Sequence, residues 1–180
     1  MAILTGHEIK MQQAAGGLKI SPFDEAKLGP NSYNVRLGDR LLVYTEPVLD
    51  MARDNRTREL IIPPEGLVLK PGRLYLGSTM EWIECRDFIP FIEGRSSTAR
   101  LGIMAHLAAG VGDIGFIGSL TFEFTCVYPV RVYAGAEIAQ LVFHTPEGLI
   151  LDRYHGKYCG FSGPVESRSY ADFEKEAELV

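Results

Sequence analysis

Ser119-Leu-Thr-Phe-Glu-Phe-Thr-Cys126 alternates apolar and polar residues with a period of two. Successive side chains of a strand point to opposite faces, so Leu120, Phe122 and Phe124 share one face and Thr121, Glu123 and Thr125 the other. Three large apolar side chains on one side predict a strand laid on a core. Glu123 then projects from the opposite face. It is either a solvated strand residue or, if another subunit covers that face, a shielded acid. Burial would raise its pKa towards neutrality and make it a usable proton shuttle.

The neighbouring sequence repeats this style. Short apolar or alternating runs at Val35–Tyr44, Glu59–Ile62, Leu67–Leu69, Leu74–Ile83, Phe88–Ile92, Ile117–Cys126, Val130–Tyr133, Glu137–His144 and Ile150–Tyr154 read as strands. Turn chemistry separates them, as in Gly29-Pro30-Asn31, Lys70-Pro71-Gly72 and Ala134-Gly135. The pattern predicts a mainly β chain, a sandwich or barrel. One helix is expected, from Gly6 to Ala15. Thr5 and Glu8 read as a capping box and Gly16-Gly17 as its stop. The polar tail ends in Asp172-Phe-Glu-Lys-Glu-Ala-Glu178, and its last eight residues are expected to fray.

The chain has 180 residues, 46% hydrophobic and 23% charged, which suits one globular domain spanning residues 1–180. No apolar run approaches the roughly eighteen residues of a bilayer span, and the N-terminus lacks a signal-peptide pattern. Three cysteines without close spacing suit a reducing cytoplasm. A net charge of −5 argues against a nucleic-acid footprint, so an anionic ligand needs a local cationic pocket.

Glu93-Gly-Arg-Ser-Ser-Thr-Ala-Arg100 packs one glycine, three hydroxyls and two arginines into eight residues. It is either an oxyanion cradle or a polar turn opening a helical turn. Asp113, within Ala109-Gly-Val-Gly-Asp-Ile-Gly-Phe-Ile-Gly118, could accept a ligand's hydroxyl bonds where glycines let backbone come close, or could be an acidic turn residue. His106 sits in an apolar stretch and reads as a satisfied packing histidine. No histidine or cysteine pair has metal-ligand spacing, and neither a Walker loop nor a zinc-deaminase signature is present.

Gly94–Gly102, Ala109–Gly118 and Leu120-Thr-Phe-Glu-Phe124 together resemble the dCTP deaminase family of the trimeric dUTPase superfamily. Asn31-Ser-Tyr-Asn-Val-Arg-Leu-Gly38, Leu69-Lys-Pro-Gly72 and Tyr154-His-Gly-Lys-Tyr158 follow in family order, so the likeness covers nearly the whole chain. It implies a distorted β-barrel with a short N-terminal helix, assembled as a homotrimer with sites between subunits. A C-terminal segment, about residues 155–180, would close over the nucleotide.

The resemblance also assigns roles. Glu123 would be general base and acid, with Ser96, Arg100 and the Ala109 carbonyl around the attacking water. Arg95, Ser96, Ser97, Thr98, Ala99 and Arg100 would grip the triphosphate. Asp113 would take the 3′-hydroxyl, Thr121 and Phe122 the pyrimidine through their backbone, and Tyr154 and Lys157 the phosphates, with Gln140 in the same network. Mg²⁺ would come with the triphosphate, with no zinc and no protein-held metal.

The leading expectation is deamination of dCTP to dUTP and ammonia. The alternatives are a bifunctional enzyme releasing dUMP and pyrophosphate, a dUTPase, or a non-catalytic nucleotide-binding barrel, with dUTP or dTTP as product or inhibitor. Nucleic acid and membrane are not expected partners, and the setting is cytoplasmic. Three positions depart from the family pattern. Asn34 replaces an acid, Phe161 or Ser162 stands where a phosphate-contacting glutamine is expected, and Gly110 stands where single-step deaminases tend to carry histidine. Gly110 leaves room, and with Gly135-Ala-Glu-Ile-Ala-Gln-Leu-Val142 it leans towards the bifunctional branch.

Overall fold

The computed structural model describes residues 2–177. Helix α1 (Gly6–Ala15) begins at Thr5, whose hydroxyl accepts from the Glu8 amide at 3.2 Å, and stops at Gly16 in the left-handed region at φ 85°. Only half of the expected box forms. The Glu8 carboxylate takes the Gln12 side-chain amide at 2.7 Å instead. After the helix come β1 (Leu18–Ser21), β2 (Tyr33–Arg36), β3 (Arg40–Tyr44), β4 (Thr57–Ile61), β5 (Leu67–Leu69), β6 (Tyr75–Ser78), β7 (Trp82–Cys85) and β8 (Ile89–Gly94). After the short helix α2 (Ser96–Ala99) come β9 (Ile103–Met104), β10 (Ile117–Gly118), β11 (Thr121–Cys126), β12 (Val130–Val132) and β13 (Glu137–His144), and then helix α3 (Tyr170–Ala177).

The chain is mainly β, as expected. Among the described residues the strands form four separate antiparallel sheets, in the orders β1-β7-β10, β4-β3-β6-β11-β9, β12-β5 and β2-β13-β8. Three expected strands are each cut in two because the chain changes sheet within them, Ile117–Cys126 dividing into β10 and β11. At Gly38 the amide donates to the Ser78 carbonyl at 2.8 Å, and the chain passes from β2 to β3. Between β6 and β7 the Glu81 carboxylate turns inward, taking the Arg36 amide at 2.9 Å and its Nε at 2.6 Å.

Ile150–Tyr154 is irregular, contrary to expectation, with Leu151 standing 91% exposed. No sheet edge pairs with it. Strands β1 and β9 were not expected, being short and weakly patterned. The tail does not fray throughout its last eight residues, since Phe173–Ala177 belong to α3; the final three lie outside the described residues.

One apolar core joins the sheets. Phe122 and Phe124 enter it together with Tyr33, Ile83, Leu141 and Phe143, all fully buried. Each such side chain contributes about 1.5–3 kcal/mol. This burial fixes which face of β11 is free to do chemistry.

Candidate active site

Strand β11 lies between β6 and β9, with Glu123 opposite Leu76 and Leu42 of β3 opposite Leu76 in turn. Glu123 therefore shares a sheet face with Leu42 and with Tyr44, two residues further along β3. That face forms the wall of a cleft of about 400 Å³. Glu123, Thr121, Asp113, Ala109 and Tyr154 all line it, together with Tyr44, His106, Phe116 and Tyr158. Glu123 is half-buried rather than solvated.

The second wall is the glycine-rich loop. The Gly110 carbonyl accepts from the Ile92 amide at 2.8 Å, and the Gly112 amide donates to the Pro90 carbonyl at 2.7 Å, so β8 holds the loop. A Cβ at Gly110 would lie 3.0 Å from the Ile92 carbonyl oxygen and 3.8 Å from His106 Cδ2. The room expected at position 110 is thus narrowed by the Ile92 carbonyl. His106 differs from expectation too. Both of its ring nitrogens are buried, and neither has a partner among the described residues.

The third wall comes from the C-terminal segment of the same chain. Val165, Glu166 and Ser167 line the cleft. The Val165 amide donates to the Thr121 hydroxyl at 3.2 Å, and the Ser167 amide to the Tyr44 hydroxyl at 3.0 Å. Burial pushes the Tyr44 phenol pKa up, the Glu166 and Glu123 carboxylates adding to it against the Ser167 bond. Asp113, Glu123 and Glu166 give the cleft three carboxyl groups. No lysine or arginine is among the described residues that line it.

The other sequence candidates stand elsewhere. Phe122 is a core side chain, with its backbone opposite Gly77 in the β6 ladder. Ser96, Ser97, Thr98 and Ala99 form α2, and Ser96, Ser97, Ala99 and Arg100 are exposed. The Thr98 hydroxyl donates to the Ile138 carbonyl at 3.0 Å. Gln140 is a tie between strands, accepting from the Ser32 hydroxyl at 2.9 Å and donating to the Gly94 carbonyl at 3.2 Å. Lys157 is ion-paired with Asp172 of α3. The polar block is therefore a helical turn, set away from the cleft of its own chain. Leu101, Met104, Val127 and Tyr128 leave an exposed apolar surface around it.

Arg95 is pre-positioned. Its guanidinium donates to the Glu137 carbonyl at 3.0 Å and pairs with the Glu137 carboxylate at 2.9 Å, while Lys27 holds that carboxylate at 2.7 Å. The Lys27 bond chiefly, and then the Arg95 charge, hold the Glu137 carboxyl below its usual value. A depressed folded-state pKa means stabilisation that is full above the ordinary carboxylate range and lost as pH falls through the folded value. Glu137→Gln should therefore be less stable than wild type at neutral pH. Denaturant titrations should show the gap closing on acidification below the carboxylate range. A gap that persists at low pH would remove the charge from the explanation.

A cleft of this size with convergent carboxylates is what small-molecule sites look like, here carried on a mainly β frame. Residues 3–145 match the family described as dCTP deaminase-like, and the chain belongs to that family. Among curated relatives it is 49% identical over 174 residues to a protein of Leptospira biflexa named "dCTP deaminase, dUMP-forming", covering 97% of this chain and 99% of that one. Proteins of Cytophaga hutchinsonii and Clostridium acetobutylicum carry the same name. They are 49% and 47% identical, over 96% and 95% of this chain and 99% and 98% of their own lengths. Among solved structures, 2′-deoxycytidine 5′-triphosphate deaminase from Agrobacterium tumefaciens shares the fold at a TM-score of 0.65 and 23% identity. That match covers 82% of this chain and 49% of the other, so the chain spans about half the length of that neighbour.

Proposed function

We propose that the protein deaminates dCTP and cleaves the resulting dUTP in the same site, releasing ammonia, dUMP and pyrophosphate. The observation that carries the deamination is Glu123, a half-buried acid on the polar face of β11, aimed into a cleft that also holds Asp113 and Thr121. The dUMP-forming names of full-length relatives favour the two-step product over release of dUTP.

Glu123 takes a proton from a water near the Ala109 carbonyl, and that water attacks C4 of cytosine. The carboxyl passes that proton to N3, then takes the proton of the C4 hydroxyl and hands it to the amine, which leaves as ammonia as the C4 carbonyl forms. Asp113 accepts the 3′-hydroxyl. A second water, held near Asp113 in line with the α-phosphate, cleaves the P–O bond and expels pyrophosphate. Mg²⁺ enters as part of the triphosphate substrate.

The triphosphate needs cations that the cleft does not carry. Arg95 and Arg100, which flank α2 among exposed apolar residues, would supply them from a neighbouring copy, with the Ser96 and Ser97 hydroxyls donating to phosphate oxygens, and that need supports a homotrimer with shared sites. The segment from about residue 155 then closes over the nucleotide, with Tyr154 and Lys157 reaching the phosphates. A cytoplasmic setting suits a nucleotide-pool enzyme with three free thiols. A sedimentation mass of one subunit, with full activity, would overturn the trimer.

The deciding assay is chromatography of dCTP turnover with Mg²⁺. Coupled chemistry yields dUMP and pyrophosphate without free dUTP. Stoichiometric dUTP and ammonia, with no pyrophosphate, would leave only the first step. Gly110→His tests the loop in the same assay. Its Cβ makes the Ile92 carbonyl, or the loop that carries Ala109 and Asp113, give by a few tenths of an ångström. A misplacement near 1 Å costs about a hundredfold, so a shift of a few tenths should lower pyrophosphate release from dUTP by about tenfold. A rate within threefold of wild type would remove Gly110 from the second step.

A further inference from the structure

The C-terminal segment returns to the molecule through a second set of contacts, outside the cleft. The Phe161 carbonyl accepts from the Ser119 amide at 2.8 Å, and the Gly160 amide donates to the Ile117 carbonyl at 2.7 Å. Seven residues on, the Arg168 guanidinium carbon stands 4.2 Å over the centre of the Phe161 ring. The Arg168 amide donates to the Tyr158 hydroxyl at 2.9 Å, and its Nη1 reaches the Lys157 carbonyl at 3.4 Å. Arg168 Nε is buried without a partner among the described residues. A shielded guanidinium so poorly supplied with acceptors is held by the ring face, the setting in which cation–π attraction is strongest.

The loop between Phe161 and Arg168 contains Val165, Glu166 and Ser167, the three residues that wall the cleft. Phe161 is tied to the strand edge next to Ser119, so the stack closes this loop at both ends. We propose that Phe161 and Arg168 form a clasp that sets the closing segment against the cleft and thereby fixes nucleotide affinity. Both are positioning residues. They act through the Val165 and Ser167 amides rather than on the reacting atoms. The resemblance places a phosphate-contacting glutamine at Phe161 or Ser162, and in this chain Phe161 holds the segment by packing. The inference rests on the dCTP reading for its substrate, though not for its structural half.

The test uses the full chain and five variants: Phe161→Leu, Phe161→Gln, Arg168→Ala, Arg168→Lys and the double variant Phe161→Leu/Arg168→Ala. Phe161→Leu keeps apolar bulk and removes the ring face, so a folding failure is not built into the design. For each single variant KM for dCTP should rise about tenfold with kcat within about twofold of wild type, the scale of one shielded cation–π contact. The double variant should be no worse than Arg168→Ala alone, because one contact is lost either way. Arg168→Lys should behave like Arg168→Ala, since the ammonium lacks the flat face. If lysine restores wild-type KM, Arg168 acts as a point charge and the clasp falls. Additive single effects, or a lowered kcat at unchanged KM, would also overturn it.

Hydrogen exchange on the nucleotide-free protein gives a readout independent of substrate. The Ser119, Gly160, Val165 and Ser167 amides should exchange faster in every variant, while the Phe122 and Phe143 amides stay protected. Unchanged exchange at the first four overturns the clasp whatever the kinetics show. A wild-type protein that leaves dCTP untouched overturns the functional reading instead, and exchange then judges the clasp.

Discussion

Glu123→Gln is expected to cut dCTP deamination by about two to four orders of magnitude, the range ascribed to a positioned general acid–base. Glutamine keeps the shape and the side-chain dipole but cannot cycle a proton between water, N3 and the leaving amine. The residue does not hold the fold together. Its neighbours Phe122 and Phe124 supply the core contacts, while Glu123 faces the cleft. Nucleotide affinity, followed by calorimetry with dCTP on the variant, should therefore stay within a few fold of wild type. Deamination within tenfold of wild type would remove Glu123 from the mechanism. Loss of binding together with turnover would make it a substrate anchor rather than a proton carrier.

The second large effect concerns stability. Arg36→Met should destabilise the fold by about 3–5 kcal/mol, the cost of leaving a buried charge without its partner. The Glu81 side chain is 0% exposed, and both of its oxygens are held by Arg36, one by the backbone amide and one by Nε. The methionine variant keeps the backbone bond and the aliphatic bulk but loses the positive charge. The pair also reaches the cleft. The Thr79 hydroxyl donates to the Glu81 carbonyl at 2.7 Å and accepts from the Leu120 amide at 3.0 Å, one residue before β11. Urea titration of the variant gives the loss directly. The double variant Arg36→Met/Glu81→Leu should recover much of it, because no orphan carboxylate remains. A single variant as stable as wild type would show that water reaches Glu81 and that the pair is not a buried one.

Local signals were legible in the sequence. Thr5 and Gly16 bound α1 as expected, because caps are decided within a few residues. The alternation in β11 correctly sends Phe122 and Phe124 inward and Glu123 outward, because a period of two is a property of the strand alone. Partnership was not legible. Val35–Tyr44 reads as one run, yet the backbone changes sheets at Gly38, and nothing in a two-residue period names the neighbouring strand. For the same reason Tyr44 escaped notice. It comes near Glu123 through the chain of pairings from Leu42 to Leu76 to Glu123, eighty-one residues apart in sequence at the ends. The polar block at Arg95–Arg100 was visible by composition as either a cradle or a helical turn. Its backbone is a helical turn, and its separation from Glu123 within one chain follows from β8 and β13, which carry it to another sheet.

The register of β11 also constrains how this gene could change length. Glu123 lies between two core phenylalanines, and side chains alternate along this strand. A one-residue insertion or deletion between Gly118 and Phe122 offers the chain two poor choices. It can keep its aromatic rings inside and absorb the change as a bulge against β6, or it can slip, turning a carboxylate into the core and two phenylalanines into the cleft. Changes of two residues preserve the facing and move the acid along the wall by roughly 7 Å, which still takes it out of reach of the Ala109 loop. Length variation should therefore be tolerated in the exposed turns at Pro146–Gly148 or Met51–Asp54 and purged from β11, where a single codon decides which side of the sheet carries the chemistry.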